Sequence, residues 1–186
     1  MLILASASPR RQELLRNAGI EFVLHPTDIP ETPLPGESPR ACAERLASEK
    51  AAAIAPQYPG RFILGADTIV VVNGEMLGKP ADAADAQRML RLLSGRQHEV
   101  ITGVCLIGAT FQDVSSETTA VEFSELSEEE IAYYVSTGEP MDKAGGYAIQ
   151  GLASRWIPRI AGDYSNVVGL PVALVYRMLR RRGALK

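Results

Sequence analysis

Along the chain, short continuous apolar runs alternate with longer segments in which the apolar residues have helical spacing. Apolar runs such as Leu2–Ala5 and Phe62–Val72 are typical of buried strands. Ser8–Pro9 and Ser38–Pro39 each place a capping serine before a proline, which is a common start of a helix. Because strands and helices alternate, the pattern predicts an α/β protein.

The same signals place the boundaries of the predicted elements. The predicted strands are Leu2–Ala5, Glu21–His25, Phe62–Val72, His98–Ile107, Thr118–Phe123 and Trp156–Ile160. The predicted helices are Pro9 to a stop at Gly19, Pro39–Ala55, Ala83–Leu93 after a cap at Asp82, Ser127–Val135 with a capping box, and Pro171–Arg182. Asn73–Gly74 predicts a type I′ hairpin turn, and the prolines of Pro30–Gly36 predict a stiff, extended loop.

Composition narrows the class of protein. The 186 residues are 46% hydrophobic and 22% charged, with a net charge of −3, which is typical of a single globular domain over residues 1–186, or of two small lobes that share one core. The sequence shows no basic face of the kind that nucleic-acid-binding proteins have. No apolar run approaches the roughly 20 residues of a membrane span. The first residues lack a signal-peptide pattern, so we expect a cytoplasmic protein. Cys42 and Cys105 have no metal spacing, and we expect two buried thiols.

Arg10 and Arg11 lie where a helix disfavours positive charge. The capping pattern places both in the first turn, beside backbone N–H groups that already make this end positive. A phosphate would resolve the conflict, because backbone N–H groups and guanidinium groups both bind phosphate oxygens. The alternative is that both side chains extend into water.

Lys50 and Asp67 are charged residues in apolar surroundings. At helical spacing Lys50 falls on the apolar face of the helix Pro39–Ala55, where it either reaches out to water or points into a cavity. Asp67 interrupts the apolar strand Phe62–Val72. Because an unpaired buried carboxylate is costly, Asp67 needs a cation, a metal or hydrogen-bond donors, either in a catalytic site or as a structural cap.

Cations from four segments and carboxylates from two suggest one common ligand. This mixture suits a polyphosphate with a divalent cation, because the cationic side chains hold phosphate oxygens and the carboxylates bind metal or orient a water. The chain has neither a P-loop nor a GxGxxG motif. We therefore expect hydrolysis of a phosphoanhydride. The residues are Arg10, Arg11, Lys50 and Lys79 for the cations, and Glu31 and Asp67 for the carboxylates.

Seven segments along the whole chain form an ordered set of motifs. They are Leu4–Arg11, Glu31, Lys50–Ala51, Gly65–Thr68, Gly78–Pro80, Asp142–Gly151 and Asn166–Pro171. Together they resemble the Maf family of nucleoside triphosphate pyrophosphatases. The resemblance implies a mixed, twisted α/β sheet flanked by helices, with two lobes around a cleft, similar to inosine triphosphate pyrophosphatases. It also implies a homodimer that uses Mg²⁺ or Mn²⁺ to cleave nucleoside triphosphates into nucleoside monophosphate and pyrophosphate.

The resemblance also implies roles for nine residues. Asp67 matches the family's proton acceptor, and we expect Glu31 and Lys79 to be catalytic with it. Glu31 and Asp67 are the expected metal ligands. The expected substrate-binding residues are Ser6, Arg10, Arg11, Lys50, Thr68 and Gln150.

Substrate preference is implied by three of these positions. Arg10, Thr68 and Gln150 match the branch that prefers dTTP and UTP, whereas the branch acting on 7-methyl-GTP has other residues at the positions of Pro9 and Thr68. The Gln150 amide can pair with O4 and N3–H of uracil or thymine, or it can be tied to backbone. The alternatives are a 7-methyl-GTP-type pyrophosphatase of the same family and a nucleotide-binding regulator of septum formation.

Overall fold

The computed structural model describes residues 1–185, which form seven strands and six α-helices. The strands are β1 (Leu2–Ala5), β2 (Phe22–Leu24), β3 (Phe62–Val72), β4 (Glu75–Leu77), β5 (Gln97–Gly108), β6 (Phe111–Glu122) and β7 (Arg159–Ala161). The helices are α1 (Pro9–Asn17), α2 (Pro39–Ile54), α3 (Ala83–Leu93), α4 (Glu128–Ser136), α5 (Tyr164–Val168) and α6 (Val172–Arg181). Short 3₁₀ turns cover Ala55–Gln57, Glu139–Asp142, Ala144–Gly146 and Leu152–Trp156.

The strands form a mixed sheet in the order β2-β1-β3-β5-β6-β7, with β4 paired to β3. Strand β1 pairs in parallel with β2 and with β3, and Ala5 at its end lies opposite Gly65. Strand β4 pairs antiparallel with β3, and β7 pairs antiparallel with β6. The predicted class, a mixed α/β sheet flanked by helices, is confirmed.

Local capping signals begin four of the helices as predicted. The side chains of Ser8, Ser38 and Asp82 each accept a hydrogen bond from a backbone N–H three residues later. Ser127 and Glu130 form a complete capping box at the start of α4. At the predicted hairpin, Asn73 and Gly74 have φ angles of 51° and 80°, as a type I′ turn requires.

Three elements differ from the prediction. Strand β6 begins at Phe111 rather than Thr118, because its first side chains are half-buried or exposed and form no continuous apolar run. Strand β7 is Arg159–Ala161, whereas Trp156 ends a 3₁₀ turn. Helix α5, Tyr164–Val168, was not predicted, since five residues are too few to show a helical period.

The chain divides into two compact units. The first consists of Met1–Thr68, Thr102–Glu117 and the segment from Gly169, and the second consists of Ile69–Ile101 and Thr118–Val168. Each unit has its own apolar core. That of the first includes Ile3, Leu4, Leu15, Leu64 and Leu106, and that of the second includes Leu90, Phe123, Ile131, Tyr134 and Trp156. The prediction of a single domain over residues 1–186 stays a prediction.

Both cysteines are fully buried, as predicted. Burial raises the pKa of each thiol to about 11, so Cys42 and Cys105 are protonated at neutral pH. Within residues 1–185, none of the helices is long and apolar enough to cross a bilayer.

Candidate active site

Helix α2 lies directly against strand β3 because Gly65 has no side chain. A Cβ atom at Gly65 would lie 2.1 Å from the backbone oxygen of Ala47 and 2.9 Å from the backbone nitrogen of Ala51. Ala47 and Ala51 are fully buried, so small residues on the helix match the glycine on the strand. This close approach brings Lys50 on the helix to Asp67 on the strand.

Lys50 joins two carboxylates from different segments. Its Nζ donates to Asp67 Oδ1 at 2.6 Å and to Glu31 Oε1 at 2.5 Å. Lys50 and Asp67 are both 6% exposed, whereas the Glu31 side chain, on the loop before α2, is 37% exposed. Lys50 therefore points into the protein rather than out to water, and the buried Asp67 has the cation that its position required.

Arg11 is a buried cation in the first turn of α1. Its guanidinium donates from Nε to the Gly169 carbonyl at 2.7 Å, from Nη1 to Ser6 Oγ at 3.3 Å and from Nη2 to Thr68 Oγ1 at 3.0 Å. All three acceptors are uncharged, and in the part of the chain that the structure describes Arg11 forms no ion pair. Burial lowers its pKa, although the charge of Asp67 acts in the opposite direction.

The surroundings of Arg11 include two groups that were not among the predicted site residues. Thr102 Oγ1 lies 2.9 Å from Thr68 Oγ1, and the Gly169 carbonyl lies 3.4 Å from the same Thr68 oxygen. Thr102 is fully buried on β5. A polar residue inside an apolar strand is the signal that identified Asp67, and the same signal was present at Thr102.

The first unit contains seven of the nine predicted site residues. Ser6, Arg11 and Thr68 are joined by hydrogen bonds, and Glu31, Lys50 and Asp67 are joined by ion pairs. Arg10 is half-buried in the first turn of α1. The other two, Lys79 and Gln150, are exposed and belong to the second unit.

Within the second unit, the segments that carry Lys79 and Gln150 are connected. The Gly145 backbone N–H donates to the Gly78 carbonyl at 3.0 Å. Gly145 has a φ angle of 70°, and a Cβ there would lie 2.9 Å from the Val70 side chain. A side chain at Gly145 would therefore be strained in its backbone and crowded.

His98 forms a buried hydrogen bond in the same unit. Its Nε2 lies 2.7 Å from the hydroxyl of Tyr147, and Phe123 packs edge-on against both rings. Burial lowers the pKa of His98 to about 4, and its Nδ1 has no hydrogen-bond partner among the described residues. The neutral imidazole thus holds Tyr147, three residues before Gln150.

Among residues 1–185, no group of three histidine, cysteine, aspartate or glutamate side chains converges to hold a metal. Glu31 and Asp67 provide two carboxylates at this site, and both lie within hydrogen-bond distance of Lys50 Nζ.

Comparison with known proteins gives two kinds of similarity. The family model described as Maf-like protein matches residues 1–182. A protein of Koribacter versatilis named dTTP/UTP pyrophosphatase is 60% identical over 184 residues, which are 99% of this chain and 95% of that protein. One of Symbiobacterium thermophilum with the same name is 56% identical over 182 residues, 98% of this chain and 94% of that protein.

A solved structure supports the fold. The Staphylococcus aureus Ham1 protein aligns over 97% of this chain and 98% of its own, with a TM-score of 0.53. Only 15% of the aligned residues are identical, so this similarity concerns the fold alone.

Proposed function

This chain belongs to the Maf-like protein family, and from that premise we propose that it hydrolyses dTTP and UTP to the nucleoside monophosphate and pyrophosphate. A nucleoside triphosphate is the substrate class, and the enzyme is a hydrolase acting on a phosphoanhydride bond. Its role is to remove pyrimidine nucleoside triphosphates, including modified ones.

The observation that carries the proposal is the buried Arg11 guanidinium with only uncharged acceptors. Removing a cation from water is costly, and neutral oxygens compensate for only part of that cost. An anion compensates for the rest. A guanidinium has five N–H groups, of which three are used here, so two remain for phosphate oxygens.

The proton acceptor in the proposed reaction is Asp67. A water attacks a phosphorus atom, its proton passes to the Asp67 carboxylate, and the bond joining the α- and β-phosphates breaks to release pyrophosphate. Lys50 orients the carboxylate through the 2.6 Å hydrogen bond. Arg10 and Arg11 bind phosphate oxygens and reduce the charge that builds up on the leaving pyrophosphate. A catalytic role for Lys79, which belongs to the second unit, stays a prediction.

The donor set also fits a divalent cation such as Mg²⁺ or Mn²⁺. Two carboxylates, Glu31 and Asp67, both contact the Lys50 ammonium and so lie near each other, and Mg²⁺ is commonly held by one or two carboxylates together with substrate phosphates. A bound cation of this kind supplies charge neutralisation at the phosphates. We assign Glu31 and Asp67 as its ligands.

Base selection is assigned to Gln150. Its side chain is exposed, and its amide can donate to O4 and accept from N3–H of a pyrimidine. Ser6 supports Arg11 and the turn before α1, because its hydroxyl accepts from both Arg11 and the Ser8 backbone N–H.

Product analysis tests the proposal. The protein is incubated with UTP, dTTP, GTP or 7-methyl-GTP in the presence of Mg²⁺ or Mn²⁺, and the products are separated by ion-exchange chromatography. We expect UMP or dTMP together with pyrophosphate, and faster turnover of UTP and dTTP than of the two guanine nucleotides. Formation of UDP, or stoichiometric orthophosphate without an added pyrophosphatase, would overturn the assignment.

Assembly and location are part of the proposal. We expect a cytoplasmic homodimer that does not bind nucleic acid, as the family resemblance and the slightly acidic composition suggest. Light scattering coupled to size-exclusion chromatography measures the mass in solution, and 20.1 kDa per chain distinguishes a monomer from a dimer.

A further inference from the structure

We propose that Thr68 and Thr102 form a hydroxyl pair that orients the Arg11 guanidinium, and that the fully buried Thr102 affects turnover through Thr68 and Arg11 rather than by touching the substrate. The inference rests on the proposed function, because it names the residues that position its phosphate-binding arginine. Thr68 and Thr102 are then positioning residues.

The hydrogen bonds around Thr68 support this role. Its Oγ1 accepts from Arg11 Nη2 at 3.0 Å and lies 2.9 Å from Thr102 Oγ1 and 3.4 Å from the Gly169 carbonyl oxygen. The short contacts of Thr68 Oγ1 are thus with Arg11 and Thr102, and the Gly169 carbonyl lies at the long end of hydrogen-bond distance.

The burial of these groups makes Arg11 depend on them. Ser6, Arg11 and Thr102 are 4%, 8% and 0% exposed, respectively. Thr68 itself is half-buried, but the guanidinium that it contacts is 8% exposed, and a buried N–H without a partner carries its full desolvation cost. Because Thr102 fixes the Thr68 hydroxyl, it also fixes the direction in which that hydroxyl meets Arg11.

The three residues come from different elements. Arg11 is on α1, Thr68 is on β3 and Thr102 is on β5. The Gly169 carbonyl precedes α6 and accepts from the same guanidinium. Contacts from three directions hold the planar Arg11 guanidinium in one orientation. A lysine ammonium is a point charge on a flexible stem and would not need such contacts.

Two substitutions at Thr102 separate its hydroxyl from its shape. Thr102→Val keeps the shape and removes the hydroxyl, whereas Thr102→Ser keeps the hydroxyl. With UTP, dTTP and GTP as substrates, we expect Thr102→Val to lower kcat/KM for all three by a similar factor, about 10-fold. Thr102→Ser should stay within about 3-fold of wild type. Thr68→Val removes the other hydroxyl of the pair, which accepts directly from Arg11, and should also lower kcat/KM for all three substrates. It provides an independent arm if Thr102→Val does not fold.

A double-mutant cycle tests whether the effect passes through Arg11. An Arg11→Lys background lacks the guanidinium that the hydroxyl pair orients. Adding Thr102→Val to this background should therefore lower kcat/KM by less than about 2-fold. Full additivity would show that Thr102 acts by another route and would overturn the proposal. So would a change in the UTP-to-GTP ratio larger than about 10-fold in Thr102→Val, because that ratio measures contact with the base.

An NMR measurement tests the orientation without using activity. The Arg11 Nε–H donates to Gly169 and is buried, so its proton should exchange slowly with water, and its signal is identified by its loss in Arg11→Lys. We expect faster exchange in Thr102→Val and wild-type exchange in Thr102→Ser. Unchanged exchange in Thr102→Val would overturn the proposal. If the wild-type protein released no pyrophosphate, the proposed function would fail, and the exchange rates would still decide the orientation of Arg11.

Discussion

Lys50 Nζ lies 2.6 Å from Asp67 Oδ1, and the two side chains are only 7% and 8% exposed. The same ammonium lies 2.5 Å from Glu31, so one cation serves two carboxylates. A buried ion pair is weak as a source of stability, but breaking it leaves a charge without its partner. This relationship sets the expected effect of a change at either carboxylate.

Asp67→Asn should lose activity and some stability. We expect kcat for UTP to fall on the order of 10²-fold or more, because the general base is removed. From the sequence alone, removing a desolvated charge suggests unchanged or higher stability. Because Lys50 is the partner of Asp67, the expectation reverses, and the free energy of unfolding should fall by about 1 to 3 kcal/mol. The loss is limited because Glu31 still pairs with the ammonium.

The control for Asp67→Asn is Asp113→Asn. Asp113 also pairs with a cation, Arg182, but their side chains are 23% and 36% exposed. An ion pair of this kind contributes less than about 1 kcal/mol. Urea unfolding and steady-state kinetics measure both variants. If folded Asp67→Asn hydrolysed UTP at the wild-type rate, the proton acceptor would be Glu31 instead of Asp67.

Gln150→Glu should change the choice of base. The carboxylate keeps the shape of the amide but loses the donor to O4, so kcat/KM for UTP and dTTP should fall about 5- to 150-fold more than for GTP. Arg11→Ala and Lys50→Ala should instead lower kcat/KM for all substrates by similar factors, because Arg11 binds the triphosphate that they share and Lys50 orients the Asp67 carboxylate that acts on all of them. Gln57→Glu, at an exposed position in the first unit, adds the same charge and controls for it. A parallel fall for UTP and GTP in Gln150→Glu would make Gln150 a structural or phosphate-side residue.

Gly65→Ala should disrupt the contact between α2 and β3. The new Cβ would lie 2.1 Å from a helix backbone oxygen, so the helix has to shift, at a cost of about 3 kcal/mol or more. Gly78→Ala is the matched control, because a Cβ there has no atom within 4 Å among those described and its φ angle is not positive. Thermal unfolding compares the two variants. Equal melting temperatures would show that the contact is not tight in solution.

His98 should make stability depend on pH. Its pKa of about 4 in the folded state lies below the ordinary value of 6.5, so below pH 6.5 the unfolded chain takes up a proton that the folded chain does not. Stability should therefore fall as the pH is lowered from about 6.5 to about 4, by up to about 3 kcal/mol from this residue. Urea titrations across this range measure the effect.

Two variants assign the pH dependence to burial of His98. His98→Gln removes the titrating group and should flatten the slope between pH 4 and 6.5 relative to wild type. Tyr147→Phe removes the hydrogen-bond partner but leaves the imidazole buried, so it should keep the slope, because desolvation is the cause of the shift. An unchanged slope in His98→Gln would contradict the prediction.

Features that depend on neighbouring residues could be predicted from the sequence. Capping by Ser8, Ser38 and Asp82 and the turn at Asn73–Gly74 were all located correctly, because each involves hydrogen bonds or dihedral angles within about four residues. The start of β6 at Phe111 was not located. Its side chains are only half-buried, so pairing with neighbouring strands, rather than an apolar run, makes it a strand.

The sequence by itself determined the class of fold, the helix and hairpin starts, and which charged residues stood in unfavourable places. It could show that Asp67 and Lys50 each needed a partner, because the cost of an unpaired buried charge is a local property. It could not show that they partner each other. That was decided by the tertiary structure, in which Gly65 lets α2 approach β3. Likewise the acceptors Thr68 and Gly169 lie 57 and 158 residues from Arg11, and only the packing of strands and helices brings atoms so distant in sequence within hydrogen-bond distance.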